Sequence, residues 1–151
     1  ILGVIMTICF GSIVVLIGAQ HKADVVRQVQ EESQDILNAL RKDIKKSETM
    51  DVDNIVGTIV LHFPTEASEP DHTYTFDVSG IGGDITMAKE GTNYRINSDN
   101  LKIQKIDENK EIFQSYPDGK LVDFSNLKMV SKEGDDHYYF ELPTAITAND
   151  N

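Results

Sequence analysis

The first nineteen residues, Ile1 to Ala19, carry no charged side chain, and the chain then runs without a proline until Pro64. Fourteen of the nineteen are apolar when Cys9 is counted with them, and Thr7, Ser12 and Cys9 are the side chains that can hydrogen-bond. Each of those three can satisfy itself against a helix backbone. A helix of this length crosses a hydrocarbon core of about 30 Å. A core helix of a globular protein would show a polar residue every third or fourth position, and this run does not. A cleaved signal peptide is the competing reading. It needs a basic leading segment and a small-x-small cleavage site, and Ile17-Gly18-Ala19 is a poor one. Residues Ile1, Leu2, Gly3, Val4, Ile5, Ile8, Phe10, Gly11, Ile13, Val14, Leu16 and Ile17 are therefore expected to face lipid or an equally apolar partner. Gly3, Gly11 and Gly18 recur at spacings of eight and seven, near one face, where helices can approach closely.

The next segment continues the helix with a different pattern. No glycine lies between Gly18 and Gly57. Val25, Val29, Ile36, Leu37, Leu40 and Ile44 recur at a helical period and form one apolar stripe, expected to pack on a sheet. Asp24, Glu31, Glu32 and Asp35 precede Arg41, Lys42, Lys45 and Lys46, the order a helix dipole favours. Helix is predicted from about Gln20 to Lys46, and joined to the first segment it makes a rod of roughly 69 Å. A coiled coil is the rival for such a stripe, but Glu32 and Ser33 interrupt the heptads.

Charge separates these segments from the rest. The chain of 151 residues has 14 basic and 25 acidic side chains, a net charge of -11. Six bases and six acids cancel between Gln20 and Glu48, so the whole -11 falls from Met50 onward. That argues against direct nucleic-acid binding by the body, which needs clustered Lys and Arg. The single Cys permits neither an internal disulfide nor a Cys-based zinc cage.

From residue 49 the pattern is that of a β-rich body. Ile55–Phe63, Tyr74–Val78, Ile85–Met87, Thr92–Ile96, Leu101–Ile106, Ile112–Tyr116, Leu127–Val130 and His137–Leu142 read as strands. Residues 65–72 read as an exposed loop, and Gly80-Ile-Gly-Gly83 as a break. Asn97-Ser98-Asp99-Asn100 reads as the turn of a hairpin, with further turns at Asp107–Lys110, Pro117–Gly119 and Glu133–Asp136. Short connections predict an antiparallel meander. The expected organisation is an apolar helix (1–19), an amphipathic helix (20–48), an antiparallel β-rich body (49–143) and a frayed tail (144–151). The fold class is α+β: the apolar half of the helix protrudes and the amphipathic half lies on the sheet.

Catalytic patterns are missing from this sequence. His21, His62, His72 and His137 never stand at ligand spacing, and no nucleophile elbow or phosphate loop is present. The chain reads as a non-enzyme without catalytic or metal residues and without a cofactor. The Asp/Asn clusters (Asp51–Asn54, Asp99-Asn100, Glu133–Asp136) have oxygens that could hold Ca²⁺, but none has the spacing of a calcium loop, and solvated turns account for them better.

Residue detail adds a resemblance. The layout of an apolar helix, an amphipathic helix and a β body is similar to that of type IV pilin-like proteins. Ile1-Leu2-Gly3-Val4-Ile5-Met6 resembles the Ile-Leu-Gly-Ile segment in the middle of that family's apolar helix. Gln28–Ser33 through Leu40-Arg-Lys42-Asp43-Ile44-Lys45 is similar to the Arg-Asp-Ile-Arg helix end of PilW-like minor pilins and J-type pseudopilins. Tyr94-Arg95-Ile96, Asn100-Leu101-Lys102 and Asp123-Phe124-Ser125 resemble that subgroup's hairpin and following strand. The resemblance implies that about eleven mature residues precede Ile1, with the family's processing motif Phe-Thr-Leu-Ile/Val-Glu and its glutamate. The disulfide loop common near that family's C-terminus has no second Cys here.

The function so implied is a structural subunit of a type IV pilus-like surface filament, assembling through its N-terminal helix with copies of itself or other pilins. It would sit in the cytoplasmic membrane before assembly and at the cell surface afterwards. A type II secretion pseudopilin, or a single-pass anchored sensor or adhesin domain that never polymerises, are the alternatives.

Overall fold

The computed structural model describes residues 2–65, 68–79, 82–116, 119–132, 139–142 and 145–148, with the backbone alone for residues 2–5, 7–9 and 115. One helix, α1 (Leu2–Lys46, 45 residues), opens the chain. Neither proline nor a sustained β-branched polar stretch interrupts it, and Lys45 and Lys46 in the last turn suit its negative dipole end. Ser47 closes it, its Oγ donating to the Ile44 carbonyl at 2.7 Å.

Among the described residues, eleven strands follow, in three antiparallel sheets. The first sheet is a meander of β1 (Thr49–Asp53), β2 (Thr58–His62), β3 (His72–Phe76), β4 (Ile85–Lys89) and β5 (Thr92–Arg95), in that order. The second joins β6 (Leu101–Lys105), β9 (Leu127–Ser131) and β10 (Tyr139–Glu141), with β9 central. The third joins β7 (Gln114–Ser115), β8 (Leu121–Asp123) and β11 (Ile146–Thr147), with β8 central. A bridge between Gly83 and Ile103 ties the first sheet's third connection to β6. The α+β class, with one long N-terminal helix and an antiparallel β body, is what the segmentation predicted.

The core lies between the helix and the sheets. Val29, Ile36, Leu37, Leu40 and Ile44 are buried, and Val25 is half-buried. Ile36, Ala39 and Leu40 line a small apolar gap with Tyr74, Phe76 and Ile85 of the first sheet, Met129 of the second, and Leu142. Phe76, Phe113 and Phe124 form a buried aromatic cluster, with centroids 5.1 to 5.9 Å apart and two of the three pairs edge-to-face. Such pairs add to the burial of the rings themselves.

Several strand expectations need correction. Residues 49–53 form a strand, because Met50 and Val52 alternate inward while Thr49, Asp51 and Asp53 point out; only two apolar residues, set among two acids and a threonine, hid that alternation. Ile55 and Val56 belong to the turn that follows, not to β2, and Ile55 is 95% exposed. Gly57, at φ +73°, closes that turn, and a Cβ there would stand 2.6 Å from the Phe76 carbonyl oxygen. His72 begins β3 and is buried, rather than ending an exposed loop.

The Asn97–Asn100 segment is not a hairpin turn. β5 pairs with β4 through Glu90 and Gly91, both at positive φ, the two-residue turn that matches strand twist. β6 crosses to β9 instead. The strand expected at Ile112–Tyr116 shrinks to Gln114-Ser115, and β8 was not foreseen. The tail is not frayed between 145 and 148: Ile146 and Ala148 are buried, and β11 pairs with β8. Gly80, Ile81, Pro117, Asp118, Glu133–Asp136, His137, Tyr138, Thr144 and 149–151 lie outside the described residues.

Candidate functional site

The residues expected to carry function are those of α1, and the structure divides them. In the first half Met6, Phe10, Ile13, Val14, Val15, Leu16 and Ile17 are each more than half exposed. Met6 and Val15 extend the residue set expected from sequence. Gly11 and Gly18 have no atom within 4 Å of where a Cβ would stand. Ile1, the side chains of Leu2, Val4, Ile5 and Ile8, and the surroundings of Gly3 lie outside what the structure describes. Among the described residues, no helix is long and apolar enough to cross a membrane, and much of the apolar run falls outside that set.

The second half is seated by its stripe and by two polar pins. Near the middle, the Glu32 carboxylate accepts the Ser98 backbone N–H at 2.6 Å and the Ser98 hydroxyl at 2.9 Å. Near the end, Asp43 Oδ2 accepts the Tyr74 hydroxyl at 2.6 Å and the His72 Nδ1–H at 3.1 Å. Burial, reinforced by Asp43, holds the Tyr74 phenol well above its usual range, so it stays a donor. His72 is 4% exposed and packs edgewise on Phe63 at 4.7 Å. Its Nε2 makes no hydrogen bond, and Glu69 Oε1 lies 3.7 Å from it. Ser33 Oγ, fully buried in the stripe, also has no hydrogen-bond partner.

These pins were not identified from sequence. Glu32 stood out as one of the leading acids and an interruption of heptads, and Asp43 only within the Leu40–Lys45 segment. Where α1 leaves the body, a cleft of about 200 Å³ opens between its His21–Glu32 stretch and Asn100, Leu101 and Ser131.

Two further charge clusters knit strands together. His62 of β2 reaches Asp71 at 2.8 Å through Nδ1 and Asp51 of β1 at 3.1 Å through Nε2. Both partners accept, so the imidazolium satisfies both, and the Asp51 and Asp71 hydrogen bonds raise its pKa. Asp84 accepts from Lys102, Arg95 and Asn97, and the Lys102 contact leads in holding its carboxyl below the ordinary value. Asn97 is buried at the corner between β5 and β6. It accepts the Ile85 N–H at 2.7 Å and donates to the Leu101 carbonyl.

Of the residues weighed for Ca²⁺, Asp51 and Asp53 lie on a strand, Asn54 caps the Phe113 N–H, and Asp99 pairs with Arg95. Among the described residues, no group of three or more His, Cys, Asp or Glu is placed to hold a metal ion. No family model matches the chain, and no curated protein and no solved structure was found similar to it.

Proposed function

We propose that this chain is a structural subunit of a type IV pilus-like filament, assembled through the apolar half of α1. The observation that carries the reading is the exposure of Met6, Phe10 and Ile13 to Ile17 on a helix whose second half is fixed to a folded body. Covering those seven side chains is worth on the order of 10 kcal/mol. A soluble monomer forgoes that energy, so a partner is expected. Before assembly the cytoplasmic membrane supplies it, with the β body outside. In the filament, neighbouring helices replace lipid. That exchange gains little net hydrophobic energy, so packing and polar contacts set the register.

The resemblance of the Ile1–Met6 and Leu40–Lys45 segments to pilin-like proteins supports the same reading. The body contributes no chemistry to it and acts as the displayed surface.

The test is quantitative mass spectrometry of sheared surface filaments against washed membranes from the producing cells, covering the mature N-terminal peptide. Recovery in the sheared fraction with a processed Phe-Thr-Leu-type start is expected, in large amount for a main subunit and in trace for a minor one. A chain that stays in the membrane and lacks that start is an anchored domain, and the filament reading fails.

A further inference from the structure

The solvent face of α1 carries two blocks of opposite charge. At about 100° per residue, Glu31 and Asp35 fall on the same side as Lys42, Lys45 and Lys46, opposite the buried stripe, with Arg41 at the flank of that face. All are exposed except Arg41, which is half-buried. Arg27 lies 3.6 Å from Asp24 and 3.8 Å from Glu31, with every side chain 70% exposed, so these contacts hold Glu31 loosely. Among the described residues, Arg41, Lys42, Lys45 and Lys46 have no carboxylate partner, and Asp35 has no cation.

We propose that a second copy of this chain docks along this face in parallel, shifted by eleven residues, so that the 31–35 block of one copy meets the 42–46 block of the other. The inference rests on the filament reading, because parallel packing follows from two apolar halves sharing one bilayer or one filament core. At zero shift, cations face cations and acids face acids. A shift of eleven residues, about 17 Å, sets Glu31 against Lys42 and Asp35 against Lys46. Eleven residues is close to three turns, so the same face stays presented. Glu32 is excluded from this pairing, because it already holds Ser98 of its own body.

Anionic lipid is the other occupant such a basic block suggests. Arg41 stands 22 residues beyond Ala19, about 33 Å along the rod, too far to reach the headgroups around its own apolar segment.

The test is site-specific cross-linking in the full chain, in membranes and sheared filaments of the producing cells. With Cys9→Ala as background, E31C is co-expressed with K42C, and D35C with K46C, then joined by a short bismaleimide. Linked peptides identified by mass spectrometry are expected to favour 31–42 and 35–46 over 31–31 and 42–42 by about fivefold. Same-position links equal to or above the shifted ones overturn the register. If no pair links, and L16C copies in the apolar half do not link either, the filament reading itself fails.

Charge reversal gives a second readout. K42E/K46E is expected to cut filament yield roughly tenfold at low salt, and adding E31K/D35K to the same chain to restore it. Reversal without loss, or loss that the added reversal leaves in place, overturns the proposal. An unchanged melting curve of the body shows that the variants fold.

Discussion

The two halves of α1 share one backbone geometry and differ in what surrounds them. Met6, Phe10 and Ile13–Ile17 are exposed on every side of the rod, whereas from Val29 on the large apolar residues are confined to one stripe and buried. Helical hydrogen bonds are internal, so the first half needs no body to complete them, only apolar surroundings for its side chains. The second half draws its stability from what it packs on. One continuous helix therefore carries two separable duties, and a substitution should disturb one or the other according to which side of about residue 20 it falls.

The sharpest way to break that comparison is a matched pair. Ile44→Ala empties a fully buried site and is expected to cost 2–5 kcal/mol of unfolding free energy, by analogy with buried large-to-small changes, roughly. Leu16→Ala is expected to stay within about 0.5 kcal/mol in the same detergent-based denaturation. Equal losses would show that the halves are not independent.

Leu16→Asp reverses the test. Placing a charge within an apolar helix costs about 2.5–3.5 kcal/mol on insertion, so the membrane-bound fraction should fall steeply while the body melts unchanged. Next in size is Asp43→Ala, which strands the Tyr74 hydroxyl and the His72 Nδ1–H and should cost about 1–3 kcal/mol. Asp43→Asn keeps an acceptor and should lose less. Ser33→Ala removes a buried hydroxyl with no partner and is expected to stabilise the seat by about 1 kcal/mol, read as a raised midpoint in urea.

The smallest effect is a pH slope in the body, away from the helix. The His62 pKa lies above its ordinary 6.5, so its stabilising share is present below that pH and is lost as pH rises through the raised value. His62→Gln should flatten that part of the stability curve. An unchanged slope would mean that Asp51 and Asp71 do not hold the imidazolium in solution.

How much of this the sequence disclosed follows from range. The helix was legible because its signals are local: an unbroken apolar run, then Val25 to Ile44 at a helical period. The strands of the first sheet were mostly legible for the same reason, through alternation in Tyr74–Phe76 and Ile85–Met87. β1 was missed because Met50 and Val52 sit among acids.

The pairing of β6 with β9 rather than β5 was not legible. It depends on Glu90-Gly91 already closing the hairpin and on Asn97 holding Ile85 and Leu101 across a corner. Nor were the Glu32 and Asp43 pins, whose partners lie 66 and about 30 residues away in the chain. The stripe residues expected to meet the sheet are those found buried, with Val25 at the edge where the helix leaves.

The pairing of β11 with β8 also sets an order of events during synthesis. Ile146 and Ala148 fill core positions, and β8 has β11 on one of its two edges, so the third sheet cannot close until these late residues have left the ribosome. By then α1 has long been made, and on the filament reading it is free to enter the membrane. The last segment completes the fold long after the first is made, so a fusion placed directly after Ala148 is expected to disturb the body while sparing α1.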